Sequence, residues 1–394
     1  MPDAPPAAPG LRIGVDVNPL RPPYTGVGNY ELWLLDALVR RDAGIAFRGF
    51  GRSGWTAVDA AFLAGRMDAG RKSEAAAERA ARGSTLARRA IAGLRGAAYA
   101  RSVGGERIEA FHAFMYRAPA RVDSVPVIPV VYDLSHVRHP EFHPAARVRW
   151  MDAVADACRR APLVHTISDF TAGEIEAVWG VPRARIHVVP PAVSDVFRDP
   201  AAADRRVLAR LGLRDGHYAL TVSTLEPRKN LATLLAAHEG LRPAERERLP
   251  LVVSGAPGWG GVRLEDHALV RSGAVRLAGY VSDGELAALY RGARVMLYPS
   301  LYEGYGMPVI EALATGAPVV ASDAASMPEA LAGHGRLVSP HDVAGWTAAL
   351  REALADDGPV DEAWRAARIA HATAWEWRDA AERVLAMYRL LRAG

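Results

Sequence analysis

A single cysteine, Cys158, stands among 394 residues. No internal disulfide can form, and a reducing compartment is expected. No apolar run approaches the roughly 20 residues that cross a bilayer as a helix. The opening MPDAPPAAPG has neither the basic nor the apolar stretch of a secretory signal, so residues 1–10 are expected to be a disordered leader on a cytoplasmic chain. The sequence has no Asp-x-Asp triplet and no His/Cys/carboxylate cluster at ligand spacing, so no metal or other cofactor is expected. It also lacks a basic stripe interleaved with aromatics, which excludes nucleic acid as the expected partner. The net charge of +4 and pI of about 9.3 are a small excess for this length. They suit an anionic small ligand or an anionic membrane surface.

Half the residues are hydrophobic, enough for two cores, and the length suits two domains. Short apolar runs alternate with helical patterns. Strands are expected at Leu11–Val17, Val125–Tyr132, Leu163–Ile167 and Ile186–Val189. Helices are expected from about Glu31 to Val39, over Val148–Cys158, and from a Ser168 cap to Val178. The polar segment Ser194–Arg206 reads as a boundary. A second alternation follows: strands Tyr218–Ser223, Leu251–Ser254, Val275–Leu277, Val295–Tyr298 and Pro318–Ala321, with helices after Asn230, at Asp283–Arg291 and at Pro308–Ala314. Such alternation predicts an α/β protein with parallel sheets covered on both faces. The expected units are a Rossmann-like domain at 11–195, another at 205–376, and a helix at 377–394 packing back at their junction.

Three stretches carry candidate chemistry. In YEGYGMPVIEALATGAPVV (302–320), Glu303 follows a strand, where open α/β sheets bind ligands. Gly304 and Gly306 permit close backbone approach. Pro308 suits the first helical position, and the helix start would favour a phosphate. Glu311, a turn further on, suits sugar or ribose hydroxyls. The plain alternative is a β-loop-α unit with two surface glutamates. In STLEPRKN (223–230), Arg228 and Lys229 leave a strand together and could hold a diphosphate. The alternative is a solvated basic turn. In Thr25-Gly26-Val27-Gly28-Asn29-Tyr30 the glycines sit between strand and helix. This is not a dinucleotide fingerprint, because Glu31 replaces the third glycine.

Taken in order, these stretches resemble glycosyltransferase family 4, and within it the bacterial branch of O-antigen mannosyltransferases. Glu303-Gly-Tyr-Gly-Met-Pro-Val-Ile-Glu311 matches the E-x7-E motif of retaining enzymes, and Leu225-Glu-Pro-Arg-Lys-Asn-Leu231 the branch's donor-phosphate motif. Weaker matches are Gly26-Val-Gly28, Val164–Asp169, Val188-Val-Pro-Pro191, Gly258-Trp-Gly260 and Met327-Pro-Glu329.

The resemblance implies a GT-B fold, two Rossmann-like domains facing a cleft. It also implies a cytoplasmic, metal-independent, retaining glycosyltransferase using a nucleotide-sugar donor, with GDP-mannose favoured, and a glycan or lipid-linked acceptor. By position it puts Arg228 and Lys229 on the donor diphosphate, Glu303 on the transferred sugar and Glu311 on the ribose. Gly26, Gly28 and the loop Gly304, Tyr305, Gly306 and Met307 would face phosphates and sugar, and Tyr280 the base. The family's histidine before aspartate is Tyr132 here, followed by Asp133, so Tyr132 and Asp133 are candidates at the sugar. A sugar-nucleotide epimerase of the same fold, or a binder that lost activity with that histidine, are the rival readings. The basic stretch 62–101, with nine Lys/Arg and three Asp/Glu, is the candidate contact with anionic membrane. Leu86, Ala90, Ile91 and Leu94 would share one face there.

Overall fold

The computed structural model describes residues 10–21, 24, 26–41, 44–51, 54–77, 106–117, 125–258, 264–355 and 361–393. Residues 1–9 of the leader, Thr25, Trp259, Gly260 and the proposed membrane face around Leu86–Leu94 lie outside the described residues.

Two sheets organise the chain. The first contains β1 (Leu11–Asp16), β2 (Ile45–Gly51), β3 (Gly54–Val58), β4 (Ala110–Ala113), β5 (Val127–Val131), β6 (Val164–Thr166) and β7 (Ile186–Val188). Its order is β3-β2-β1-β4-β5-β6-β7, parallel throughout except for the edge strand β3. The second contains β8 (Ala219–Val222), β9 (Leu251–Ser254), β10 (Val275–Gly279), β11 (Val295–Tyr298), β12 (Val319–Ser322) and β13 (Arg336–Val338). Its order is β10-β9-β8-β11-β12-β13, all parallel. Strands such as β9, β11 and β12 are buried at every residue, as expected of parallel strands covered by helices on both faces. The order reverses between β1 and β4 in one sheet and between β8 and β11 in the other. Ligands of open α/β sheets bind beyond the strand carboxyl ends at such reversals.

The chain returns to the first unit at its end. Trp375 Nε1 donates to the Pro190 carbonyl at 2.9 Å. The helix Trp377–Ala393 then places Ala380, Ala381, Val384, Leu385, Met387 and Tyr388 in the core built on the first sheet. A buried hydrogen-bond chain anchors it. Tyr30 donates to the Val189 carbonyl at 2.8 Å, so its oxygen accepts from His165 Nε2 at 2.8 Å. His165 Nδ1 is left to accept from His112 Nε2 at 2.8 Å, and His112 Nδ1 accepts from Tyr388 at 2.7 Å. Every polar atom is paired only if both imidazoles are neutral. Burial pushes His112 down to about 3, and burial with repulsion from His112 pushes His165 well below its ordinary value.

Tyr388→Phe should orphan His112 Nδ1 and destabilise the fold by about 1–3 kcal/mol, read as a lower Tm. The two imidazoles stay unprotonated in the fold where unfolded histidine charges near 6.5. This contribution is therefore present above that pH and is lost as pH falls toward about 3.

Two expectations change at the glycine-rich segment. The helix starts at Gly26 rather than near Glu31, so Gly26 and Gly28 form its first turn instead of a loop. Gly28 is required by packing: a Cβ there would sit 2.7 Å from the Pro19 carbonyl oxygen. At Gly26 a Cβ would meet nothing within 4 Å, leaving that turn open.

Candidate active site

The loop after β8 turns through a short helix, Pro227–Lys229, and ends on Asn230 with φ 56°. Asparagine tolerates that left-handed conformation better than most residues. Its side-chain amide then holds the turn to the neighbouring loops, donating to the carbonyls of Pro299 at 3.1 Å and Pro340 at 2.7 Å. Leu301 N donates to the Arg228 carbonyl at 2.8 Å. The exits of β8 and β11 are thus stitched together at the strand-order reversal.

This brings Arg228, Lys229 and Glu303 into one buried ion cluster. Lys229 Nζ donates to Glu303 Oε1 at 2.5 Å and to the Tyr298 hydroxyl at 3.0 Å. Tyr298 in turn donates to Glu303 Oε1 at 3.1 Å. Arg228 donates to Glu303 Oε2 at 2.9 Å, to the Tyr302 carbonyl at 3.1 Å and to Glu226 Oε2 at 3.1 Å. Lys229 is 7% exposed and Glu303 8%, which rules out the solvated basic turn and the surface glutamate. Burial alone would raise the Glu303 carboxyl, but Arg228 and Lys229 outweigh it and hold it at about 2. Burial, then Arg228, lowers Lys229. Glu226 and Tyr298 belong to the cluster and were not singled out from sequence. Glu226 lies within the quoted motif, two residues before Arg228, and that spacing was the available signal.

The helix after the cluster begins at Met307, so Pro308 is its second residue rather than its first, and Gly306 (φ 100°) is its N-cap. Glu311 accepts from the Tyr290 hydroxyl at 3.2 Å. Burial, with Asp283 nearby, pushes its carboxyl up to about 8. A group raised in this way stabilises the fold fully below its unfolded value of 4.5, and the contribution is lost as pH rises through about 8. Glu311→Gln should therefore flatten the decline in Tm across that window.

Tyr280 lies just beyond the edge strand β10 and is 38% exposed. It does not join the ion cluster.

The first unit meets this loop directly. A Cβ on Gly304 would lie 1.8 Å from the Tyr132 carbonyl oxygen and 3.2 Å from Asp133 Cβ. Thr171 donates to the Gly304 carbonyl at 3.3 Å. Tyr302 sits edge-on to His139 and Phe170, each 5.6 Å between ring centres. Tyr305 packs against the cores of both units. The carboxyl ends of the two sheets thus face each other at Gly304.

Tyr132 turns its ring into the core, edge-on to Tyr30 and Tyr116, and its hydroxyl is buried without a partner among the described residues. Its carbonyl, not its hydroxyl, meets the loop. Asp133 Oδ1 accepts from Ser135 N at 2.9 Å and Ser135 Oγ at 2.6 Å, and His143 Nε2 is 2.9 Å from that Oγ. Ser135 and His143 are thus linked to Asp133, which sequence reasoning missed. His136 is buried against Trp179 instead. Among the described residues, no group of three His, Cys, Asp or Glu could hold a metal, and no helix is long and apolar enough to cross a membrane.

Two facing Rossmann-like units, each built on a parallel sheet, define the GT-B fold. Solved structures share that fold: Anabaena HepE in complex with UDP (TM-score 0.64, 15% identity, 96% of this chain and 99% of that one), and the sucrose-phosphate synthase of Thermosynechococcus elongatus (TM-score 0.64, 19% identity, 97% and 99%). Residues 67–196 match the family described as Glycosyltransferase Family 4, and residues 209–370 that described as Glycosyl transferases group 1. The O-antigen chain mannosyltransferase B of Escherichia coli is 35% identical over 295 residues, covering 71% of this chain and 74% of that one. The serotype-specific mannosyltransferase WbdA of Escherichia coli is 27% identical over 285 residues, 68% of this chain but only 34% of its own length. The chain belongs to glycosyltransferase family 4, and it is a glycosyltransferase.

Proposed function

We propose that the protein transfers mannose from GDP-mannose to a glycan or lipid-linked acceptor on the cytoplasmic side, with retention at the anomeric carbon and without a metal ion. The observation that carries this reading is the buried Arg228–Lys229–Glu303 cluster at the β8/β11 reversal. The likeness to a mannosyltransferase of O-antigen synthesis favours the sugar and the acceptor class.

In this reading the donor diphosphate meets Arg228 and Lys229, where fixed positive charge offsets the charge that grows on it as the glycosidic bond breaks. Glu303, released in part from the cations, accepts from hydroxyls of the transferred sugar. The acceptor hydroxyl oxygen bonds to the anomeric carbon on the face the diphosphate leaves. Its proton passes to the departing phosphate oxygen, and GDP leaves. Glu311 accepts from ribose hydroxyls, Tyr280 lies near the base, and the open turn at Gly26 faces the phosphates from the first unit. Asp133, fixed by Ser135, lies on the acceptor wall near Arg228.

A panel of nucleotide sugars read by thermal shift tests the donor, since a ligand that binds only the folded state raises Tm by mass action. GDP-mannose should give the largest shift and should release GDP when a mannosylated acceptor is added. A larger shift with a uridine donor would replace the GDP-mannose assignment.

A further inference from the structure

The helix Asp169–Trp179 follows β6 in the first unit. A helix start leaves backbone N–H groups without intrahelical partners and carries partial positive charge. Here Ser168 caps only Thr171 N, at 3.0 Å. The two amides before it are capped from the other unit: Asp169 N donates to Glu329 Oε1 at 3.0 Å, and Phe170 N to Glu329 Oε2 at 2.9 Å. One carboxylate thus takes two charge-assisted hydrogen bonds across the junction.

Glu329 also sits on a segment tied to the donor loop. It belongs to the five-residue helix Met327–Leu331. Just before it, buried Ser326 donates to the Glu303 carbonyl at 3.0 Å. Met327 Cε lies where a Cβ on Gly306 would be, at 2.3 Å. The segment is entered through Ala325 at φ 53° and left through Ala332 at φ 44°. Left-handed backbone at alanine is strained and persists where the surroundings impose it.

We propose that Glu329 is a positioning residue for transfer, which docks the donor loop onto the acceptor wall by capping the helix Asp169–Trp179 from the opposite unit. With the cap made, Gly304 seats under the Tyr132 carbonyl and Glu303 is held through Ser326. With the cap broken, the donor half stays intact, but its register with the acceptor half is lost. The link to transfer rests on the function proposed above; the docking contact itself does not.

The test uses Glu329→Ala and Glu329→Gln in the full chain. Amide hydrogen exchange, read without any ligand, should speed up at Asp169 and Phe170 by about tenfold or more in Glu329→Ala, because the two amides then face only water. Glu329→Gln keeps one acceptor oxygen and should give a smaller rise. The Tm shift with GDP-mannose should be kept, while kcat for transfer falls at least about tenfold with little change in donor KM. Wild-type exchange at both amides in Glu329→Ala overturns the cap. Faster exchange with wild-type kcat overturns its role in transfer. A wild-type enzyme that gains no Tm with GDP-mannose counts against the donor assignment, and the exchange experiment still decides the docking contact.

Discussion

Replacing Arg228 and Lys229 together with alanine should lower turnover by about a thousandfold or more, since removing even one well-placed donor from a site of developing charge costs about 100- to 1000-fold. The same change leaves Glu303 buried without its two cations. Stripping the partner from a buried charge costs about 3–5 kcal/mol, so Tm should fall as well. Adding Glu303→Gln separates the two effects. The triple variant should recover part of the lost Tm, because Glu303 no longer carries an unpaired charge while buried Glu226 still lacks Arg228, and should recover none of the turnover. Near-normal turnover in the double variant, or its return in the triple variant, would remove the cations from the chemistry.

Gly304→Ala should give the second large effect. The added Cβ would need to occupy space 1.8 Å from the Tyr132 carbonyl oxygen, and backbone on both sides leaves no side chain to swing away. The two units must separate at that point. Donor-induced stabilisation should be largely kept, whereas kcat for transfer should drop about 100-fold, the scale expected when reacting groups shift by about 1 Å. Equal kcat in the variant and the parent would mean that the Gly304–Tyr132 approach is not made during turnover.

Sequence periodicity revealed the strands that behave as buried parallel strands do. β9 and β11 fall where their apolar runs place them, and the Ser168 cap forms as expected. The strands that escaped notice depart from that pattern for visible reasons. β4 reads AFHA and buries His112 completely, which is tolerable only because Tyr388 and His165, both distant in sequence, satisfy the ring. β2 and β3 carry glycines and pair antiparallel at an edge, and β13 is three residues long.

At the site, the motif spacings brought out Arg228, Lys229, Glu303 and Glu311, but not how they pair. The direct contact of both cations with Glu303 depends on the Asn230 turn and on strand order. So does the contribution of Glu226 and Tyr298. Glu311 was legible as a polar residue one turn into a helix. Its raised pKa was not, because the burial and the neighbour Asp283 that cause it come from another helix. The glycines at 26 and 28 looked alike in sequence, and only packing separates them: Gly28 lies under Pro19, while Gly26 is open. The substitution of tyrosine for histidine at 132 marked the position as unusual but did not reveal that its carbonyl, rather than its ring, would face the donor loop.

Initial transfer rates from GDP-mannose, measured after exhaustive treatment with EDTA and again after adding back Mg²⁺ or Mn²⁺, test most directly whether side-chain cations neutralise the leaving diphosphate. Rates that agree across all three conditions are predicted. Activity abolished by the chelator and restored by either ion would contradict the account.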